Sequence, residues 1–125
     1  MPTTLSEDAV EHFHEQGFLS PVPVLSSKEV AHFRGCLESF EAKHPDDVKK
    51  LKSKSHLLCP WVEDIARHPR VLDVYEDLIG PNILCYSMAF RTKEPDGKTH
   101  AGWHQAGAYN PIQPILVIGA LALAD

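Results

Sequence analysis

Long apolar runs and a cysteine framework are missing from this chain of 125 residues, and its basic residues do not cluster on the scale that suggests nucleic-acid binding. The longest apolar stretch, Ile115 to Ala124, is too short for a membrane-spanning helix, which needs about 20 residues. The N-terminus has no basic segment followed by an apolar one, so the sequence shows no secretory signal peptide. These absences argue against a membrane protein and favour a cytoplasmic one.

The spacing of the cysteines and the distribution of the lysines argue against two further classes of protein. Cys36, Cys59 and Cys85 are an odd number at wide spacing without a C-x-x-C pair, which argues against a disulfide framework or a zinc knuckle. The net charge is −5, and the densest lysine run, Lys49 to Lys54, follows two aspartates. Such a run is typical of a solvated face, so we expect no nucleic-acid partner.

The first part of the chain carries helix signals. Ser6 is placed to cap a short helix that ends at Gly17, and Ser26 with Glu29 has the spacing of a capping box. The helix that follows should extend to about Lys43. Residues 45–60 are predicted to form a loop, Trp61 to Ala66 a helical turn, and His68-Pro69 the start of a helix that ends at Gly80-Pro81.

The pattern changes after residue 81, and three strands are predicted over residues 83–92, 99–105 and 115–124. Three strands are too few to close a barrel or a sandwich. We therefore expect residues 1–125 to be a single partial domain, mainly helical over 1–81 and with the first core strands over 82–125. The last strand would leave an open edge, through which the chain could self-associate.

The segment from His100 to Tyr109 carries the chemistry. His100 and His104 have H-x-x-x-H spacing, but a zinc protease needs a glutamate at position 101, where this chain has alanine. In iron sites made of two histidines and a carboxylate, a histidine and an aspartate two residues apart bind the metal. His104-Gln105-Ala106 occupies the place of such an H-x-D motif, with alanine in place of aspartate.

Several short motifs surround this segment in a common order. With them, the chain resembles the phytanoyl-CoA dioxygenase family, which consists of iron(II)/2-oxoglutarate-dependent oxygenases on a double-stranded β-helix (jelly-roll). The motifs, each weak alone, are Phe13 to Leu19, Leu25 to Val30, His68 to Leu72, Asp77 to Ile83, Ser87 to Phe90, Lys93 to Gly97, Trp103 to Gln105 and Leu121 to Asp125.

The resemblance implies an α+β fold, in which N-terminal helices pack on the start of the jelly-roll core. It also implies iron(II) and 2-oxoglutarate as cofactors and a small molecule as substrate. His104 would be a metal ligand. Met88, Phe90 and Lys93 would touch the cofactor, although core packing of Met88 and Phe90 and a solvated Lys93 are open alternatives, and Trp103, Gln105 and Tyr109 would border the site.

Two departures from the family pattern leave the activity open. The resemblance stops before the distal histidine and the 2-oxoglutarate-binding arginine, so we expect a truncated chain that is not competent alone. Ala106 replaces the carboxylate ligand, and no aspartate or glutamate lies between Lys98 and Ala124. The alternatives are an aliphatic halogenase, in which chloride takes the position vacated at Ala106, and a non-catalytic fragment or pseudoenzyme.

Overall fold

The computed structural model describes residues 2–92, 95–108, 110 and 116–124. These residues form helices and irregular segments, and they contain no β-strand. In none of them is a helix both long and apolar enough to cross a lipid bilayer. The α-helices are α1 (Glu7–Gln16), α2 (Ser27–Lys43), α3 (Pro60–Ala66) and α4 (Pro69–Ile79), and the 3₁₀-helices are Pro45–Lys52, Ser55–Leu57 and Ala106–Ala108.

The predicted helix ends are confirmed. Ser6 Oγ accepts the backbone N–H of Ala9 at 3.1 Å at the start of α1, and Gly17 ends that helix with a φ of 80°, which glycine adopts without strain. At the start of α2, the Glu29 N–H donates to Ser26 Oγ, and the Ser26 N–H donates back to the Glu29 carboxylate at 2.7 Å. This reciprocal pair is the predicted capping box.

Glu29 also connects two helices. Its Oε1 lies 2.9 Å from Nε2 of His68, the N-cap residue of α4. The Ser26 hydroxyl first, then the Ser26 N–H and His68, lower the pKa of Glu29 to about 2. The carboxylate therefore stays ionised across the ordinary pH range, and one side chain both caps α2 and holds the beginning of α4.

The core is small and lies around α3. Leu51, Cys59 and Val62 form its buried centre. Phe33 of α2, Ile65 and Leu78 are also buried. The half-buried side chains that pack against the centre come from α2, α3 and the segment after α4, and they are Leu37, Phe40, Trp61, Met88 and Phe90.

The predicted α+β fold is wrong for the described residues. A strand exists only where its backbone bonds to another strand, and the segment after α4 bonds instead to the 3₁₀ region. The Ser55 N–H donates to the Met88 carbonyl at 2.9 Å, and the Phe90 N–H donates to the Leu51 carbonyl at 2.9 Å. Residues 83–92, 99–105 and 116–124 are irregular or turn, so no start of a jelly-roll core and no open strand edge is found there. The predicted loop over 45–60 is largely 3₁₀-helical.

The irregular C-terminal segment contacts α4 at a glycine. The Tyr75 hydroxyl forms a hydrogen bond with the Gly119 backbone, and burial raises the pKa of Tyr75. A Cβ atom added to Gly119 would overlap the Tyr75 hydroxyl and lie 3.3 Å from the ring carbon Cζ. A side chain at residue 119 would therefore displace the Tyr75 ring, whereas glycine lets the segment lie this close to α4.

We predict that Gly119→Ala destabilises the protein by about 1–3 kcal/mol, the usual cost of overpacking a filled contact. Chemical denaturation measures this change. The double variant Gly119→Ala/Tyr75→Phe should recover part of the loss, because it removes the overlapping hydroxyl. Gly102→Ala is the matched control, since its added methyl meets nothing within 4 Å. Equal losses for Gly119→Ala and Gly102→Ala would contradict the contact.

Asp77 of α4 holds the N-terminal residues that precede α1. Its carboxylate accepts the backbone N–H groups of Thr3 at 2.8 Å, Thr4 at 2.8 Å and Leu5 at 2.7 Å. Desolvation raises the pKa of Asp77, but the hydrogen bonds from Leu5, Thr3 and Thr4 outweigh it and leave the pKa below the ordinary value. The ionised form of Asp77 is therefore the one that binds the N-terminus.

Asp77→Ala should release residues 3–5 and raise the amide hydrogen-exchange rates of Thr3, Thr4 and Leu5, as measured by NMR. In the unaltered protein, the stabilisation from Asp77 should be present above the unfolded pKa of about 3.9 and be lost as the pH falls through the lower folded pKa. Asp73→Ala on the same helix is the control. Unchanged exchange at residues 3–5 in Asp77→Ala would rule out this anchoring.

Candidate functional site

A tight turn at Asp96 precedes the two histidines of the predicted site. The Asp96 carboxylate accepts the backbone N–H groups of Lys98 and Thr99 at 2.8 and 2.7 Å and the Thr99 hydroxyl at 2.6 Å. The Thr99 hydroxyl first, and then these N–H groups, lower the pKa of Asp96 to about 2. Gly97 takes a positive φ of 67°. The turn is thus closed by an aspartate–backbone motif and sets the direction of the chain toward His100.

The His104 ring contacts a backbone carbonyl through Nδ1. Its Nδ1 lies 2.9 Å from the carbonyl oxygen of Gly102, which can only accept a hydrogen bond. The neutral ring must then carry its proton on Nδ1 and its lone pair on Nε2. His100 repeats the arrangement, with Nδ1 at 3.0 Å from the Lys98 carbonyl. Both side chains are exposed.

A 3₁₀ turn over Ala106–Ala108 follows His104. The Asn110 side-chain amide donates to the Ala106 carbonyl at 2.9 Å, which fixes the turn from its far end. Ala106 is half-buried, and its methyl group stands where an H-x-D motif has its carboxylate. The turn therefore presents a histidine and a small apolar side chain two residues apart.

Two of the residues predicted to border the site, Trp103 and Gln105, are exposed to solvent. Trp103 is fully exposed, with a relative exposure of 107%. Gln105 is also exposed. The predictions for Lys93 and Tyr109 lie outside the described residues.

Met88 and Phe90, which were predicted to touch the cofactor, pack against the buried centre of the core. The Phe90 ring contacts Trp61 with 5.5 Å between ring centroids, and the Met88 N–H donates to His56 Nδ1 at 3.3 Å. These contacts support the alternative left open above, in which both residues belong to the core.

The sequence analysis did not identify a pair of possible metal-donor atoms on α2. His32 Nε2 lies 3.8 Å from the Sγ of Cys36. The signal was their spacing of four residues on a predicted helix, which places both side chains on one face. His68 Nε2 is likewise paired with Glu29, at 2.9 Å from Oε1.

The described residues do not assemble a complete iron site. Among them, no three histidine, cysteine, aspartate or glutamate side chains are grouped where they could hold a metal ion. They fit one ligand of a two-histidine, one-carboxylate set, namely His104. Comparison with protein-family models, with curated proteins and with solved structures finds no match.

Core packing of Phe90 predicts that Phe90→Ala lowers the free energy of unfolding by about 2 kcal/mol, below the range for a fully buried phenylalanine. Leu84→Ala is the matched control on the same segment, because Leu84 is 80% exposed. It should change stability by less than about 0.5 kcal/mol. Urea denaturation measures both, and a Phe90→Ala variant as stable as Leu84→Ala would show that Phe90 is not part of the core.

Proposed function

We propose that this chain contributes His104 to the metal site of an iron(II)/2-oxoglutarate-dependent oxygenase of the phytanoyl-CoA dioxygenase type, acting on a small molecule. The observation that carries the proposal is the hydrogen bond from His104 Nδ1 to the Gly102 carbonyl. The order and spacing of the short motifs along the sequence support the same assignment.

This hydrogen bond matters because metal-binding histidines nearly always donate their second ring N–H to a carbonyl or a carboxylate. The donated bond fixes the tautomer and makes the other ring nitrogen more basic. In His104 that second nitrogen is Nε2, and the side chain is exposed to solvent. A histidine with this geometry is suited to bind iron(II).

The isolated chain should not be catalytically competent. An iron site of this class needs two histidines and a carboxylate, and the described residues provide His104 alone. Bound iron and 2-oxoglutarate would supply the activation of dioxygen. What the chain itself does is hold His104 in one tautomer, through the carbonyl of Gly102, beside the uncharged Ala106.

A second candidate function is aliphatic halogenation. The observation in its favour is Ala106, together with the lack of any aspartate or glutamate from Lys98 to Ala124. With alanine in place of the carboxylate, the metal would lack one ligand and one negative charge. A chloride ion would supply both. A chain that binds neither iron nor chloride at this position would be the third candidate, a non-catalytic fragment.

The cysteines favour a cytoplasmic location within this proposal. Cys36, Cys59 and Cys85 are free thiols. Free thiols persist in a reducing compartment, whereas secreted proteins of this size generally pair theirs. Iron(II) is also kept reduced under such conditions.

Anaerobic titration with iron(II) and 2-oxoglutarate tests the proposal through the visible iron-to-2-oxoglutarate charge-transfer band. Ala106→Asp should strengthen iron binding by about tenfold or more, because it restores a charged ligand two residues from His104. His104→Ala should abolish the gain. His100→Ala is the matched control, because His100 has the same carbonyl contact but lies outside the H-x-A motif.

The outcomes separate the candidates. A band in the unaltered chain that shifts with chloride would favour the halogenase. A band in Ala106→Asp alone would favour the oxygenase type with a disabled ligand position. If iron binds the unaltered chain and His104→Ala equally, His104 is not an iron ligand and the proposal fails. If no variant shows the band, the chain is not an enzyme by itself, which favours the non-catalytic fragment.

A further inference from the structure

A groove of about 560 Å³ runs along α2 and is bounded by Trp61 of α3. Small residues, among them Gly35 and Ser39, line the groove. The space above Gly35 is empty, because a Cβ atom added there would meet nothing within 4 Å. His32 and Cys36 line this groove. Their side chains therefore face a space large enough for an ion and further ligands.

The two donor atoms have the separation that a tetrahedral metal requires. Zinc binds thiolate sulfur at about 2.3 Å and imidazole nitrogen at about 2.05 Å, and at a tetrahedral angle these bonds place the two donors roughly 3.6 Å apart. The Nε2 of His32 and the Sγ of Cys36 are 3.8 Å apart, in hydrogen-bonding contact with each other. A zinc ion would fit between them with a shift of a few tenths of an ångström.

We propose that His32 and Cys36 form a two-ligand site for a thiophilic divalent cation of zinc's size, separate from the site at His104. Water or an exogenous anion from the groove would supply the remaining ligands. Lys43 lines the same groove, and its ammonium suits an anionic ligand.

Helix α2 preorganises His32 and Cys36 for metal binding. Side chains four residues apart lie on one face of a helix, so α2 fixes the donors before the metal arrives. Cys36 is half-buried and His32 is exposed, so an ion can enter from the groove. On binding, the Cys36 thiol gives its proton to solvent and bonds to the metal as thiolate, which blocks its reaction with alkylating reagents.

The chain contains its own reference thiols for a test. Cys59 is buried, and Cys85 is exposed with Glu63 and Arg67 as its electrostatic neighbours. In the full chain, zinc alone should slow alkylation of Cys36 but not of Cys85, as read by mass spectrometry of the labelled peptides. Cobalt(II) should give a thiolate-to-metal charge-transfer band that Cys36→Ser abolishes.

His32→Ala should weaken zinc protection of Cys36 by about tenfold or more, since it removes one of two protein ligands. Alanine keeps the helix, because it has the highest helix propensity. His14→Ala, an exposed histidine of α1, is the matched control. His32→Cys should retain protection, because a second thiolate replaces the imidazole, and this outcome distinguishes a ligand from a structural role.

Measuring zinc protection of Cys36 in a His104→Ala variant makes this test independent of the proposed function. If Cys36 stays protected there, the α2 site stands whatever happens at His104. Equal protection of Cys36 and Cys85, no protection at micromolar zinc, or protection that His32→Ala leaves unchanged would each overturn the proposal.

Discussion

The structure depends on the backbone pairing between the segment after α4 and the 3₁₀ region before α3. The Ser55 N–H and the Leu51 carbonyl are taken up by Met88 and Phe90, so buried backbone groups are satisfied where the core closes. Ser55 adds its hydroxyl, which donates to the Met88 carbonyl at 3.0 Å. Without this pairing, the side chains of Met88 and Phe90 would not cover Leu51 and Val62, and the core centre would face water.

The same pairing also affects how the chain continues after residue 90. Because the Met88 carbonyl and the Phe90 N–H bond to the 3₁₀ region, these two groups are no longer available to a neighbouring strand. The chain then leaves the core, closes a turn on Asp96 and continues through exposed residues to His104. His104 thus lies on an exposed segment and is not among the buried residues of the core.

Most of the helical part could be predicted from sequence, because a helix end depends on residues within one turn of it. Ser6, Gly17 and the pair Ser26–Glu29 act locally, and all lie where the pattern places them. The irregular structure of the segment after α4 could not be predicted from sequence. Apolar residues such as those from Ile83 to Phe90 suit a strand and a docked irregular segment equally. What chooses between them is the bonding partner, which is distant in sequence.

The same distinction separates the two candidate metal positions. His32 and Cys36 are held by consecutive turns of α2, so the cost of bringing the two donors together is met when the helix folds. His104 stands on an exposed irregular segment, and its contacts include a local bond to Gly102 and, through Ala106, one to Asn110. These bonds fix one ring, but they do not recruit a second ligand. A metal at His104 therefore needs a further element that supplies ligands and orders the segment as it binds, whereas the pair on α2 needs only the ion.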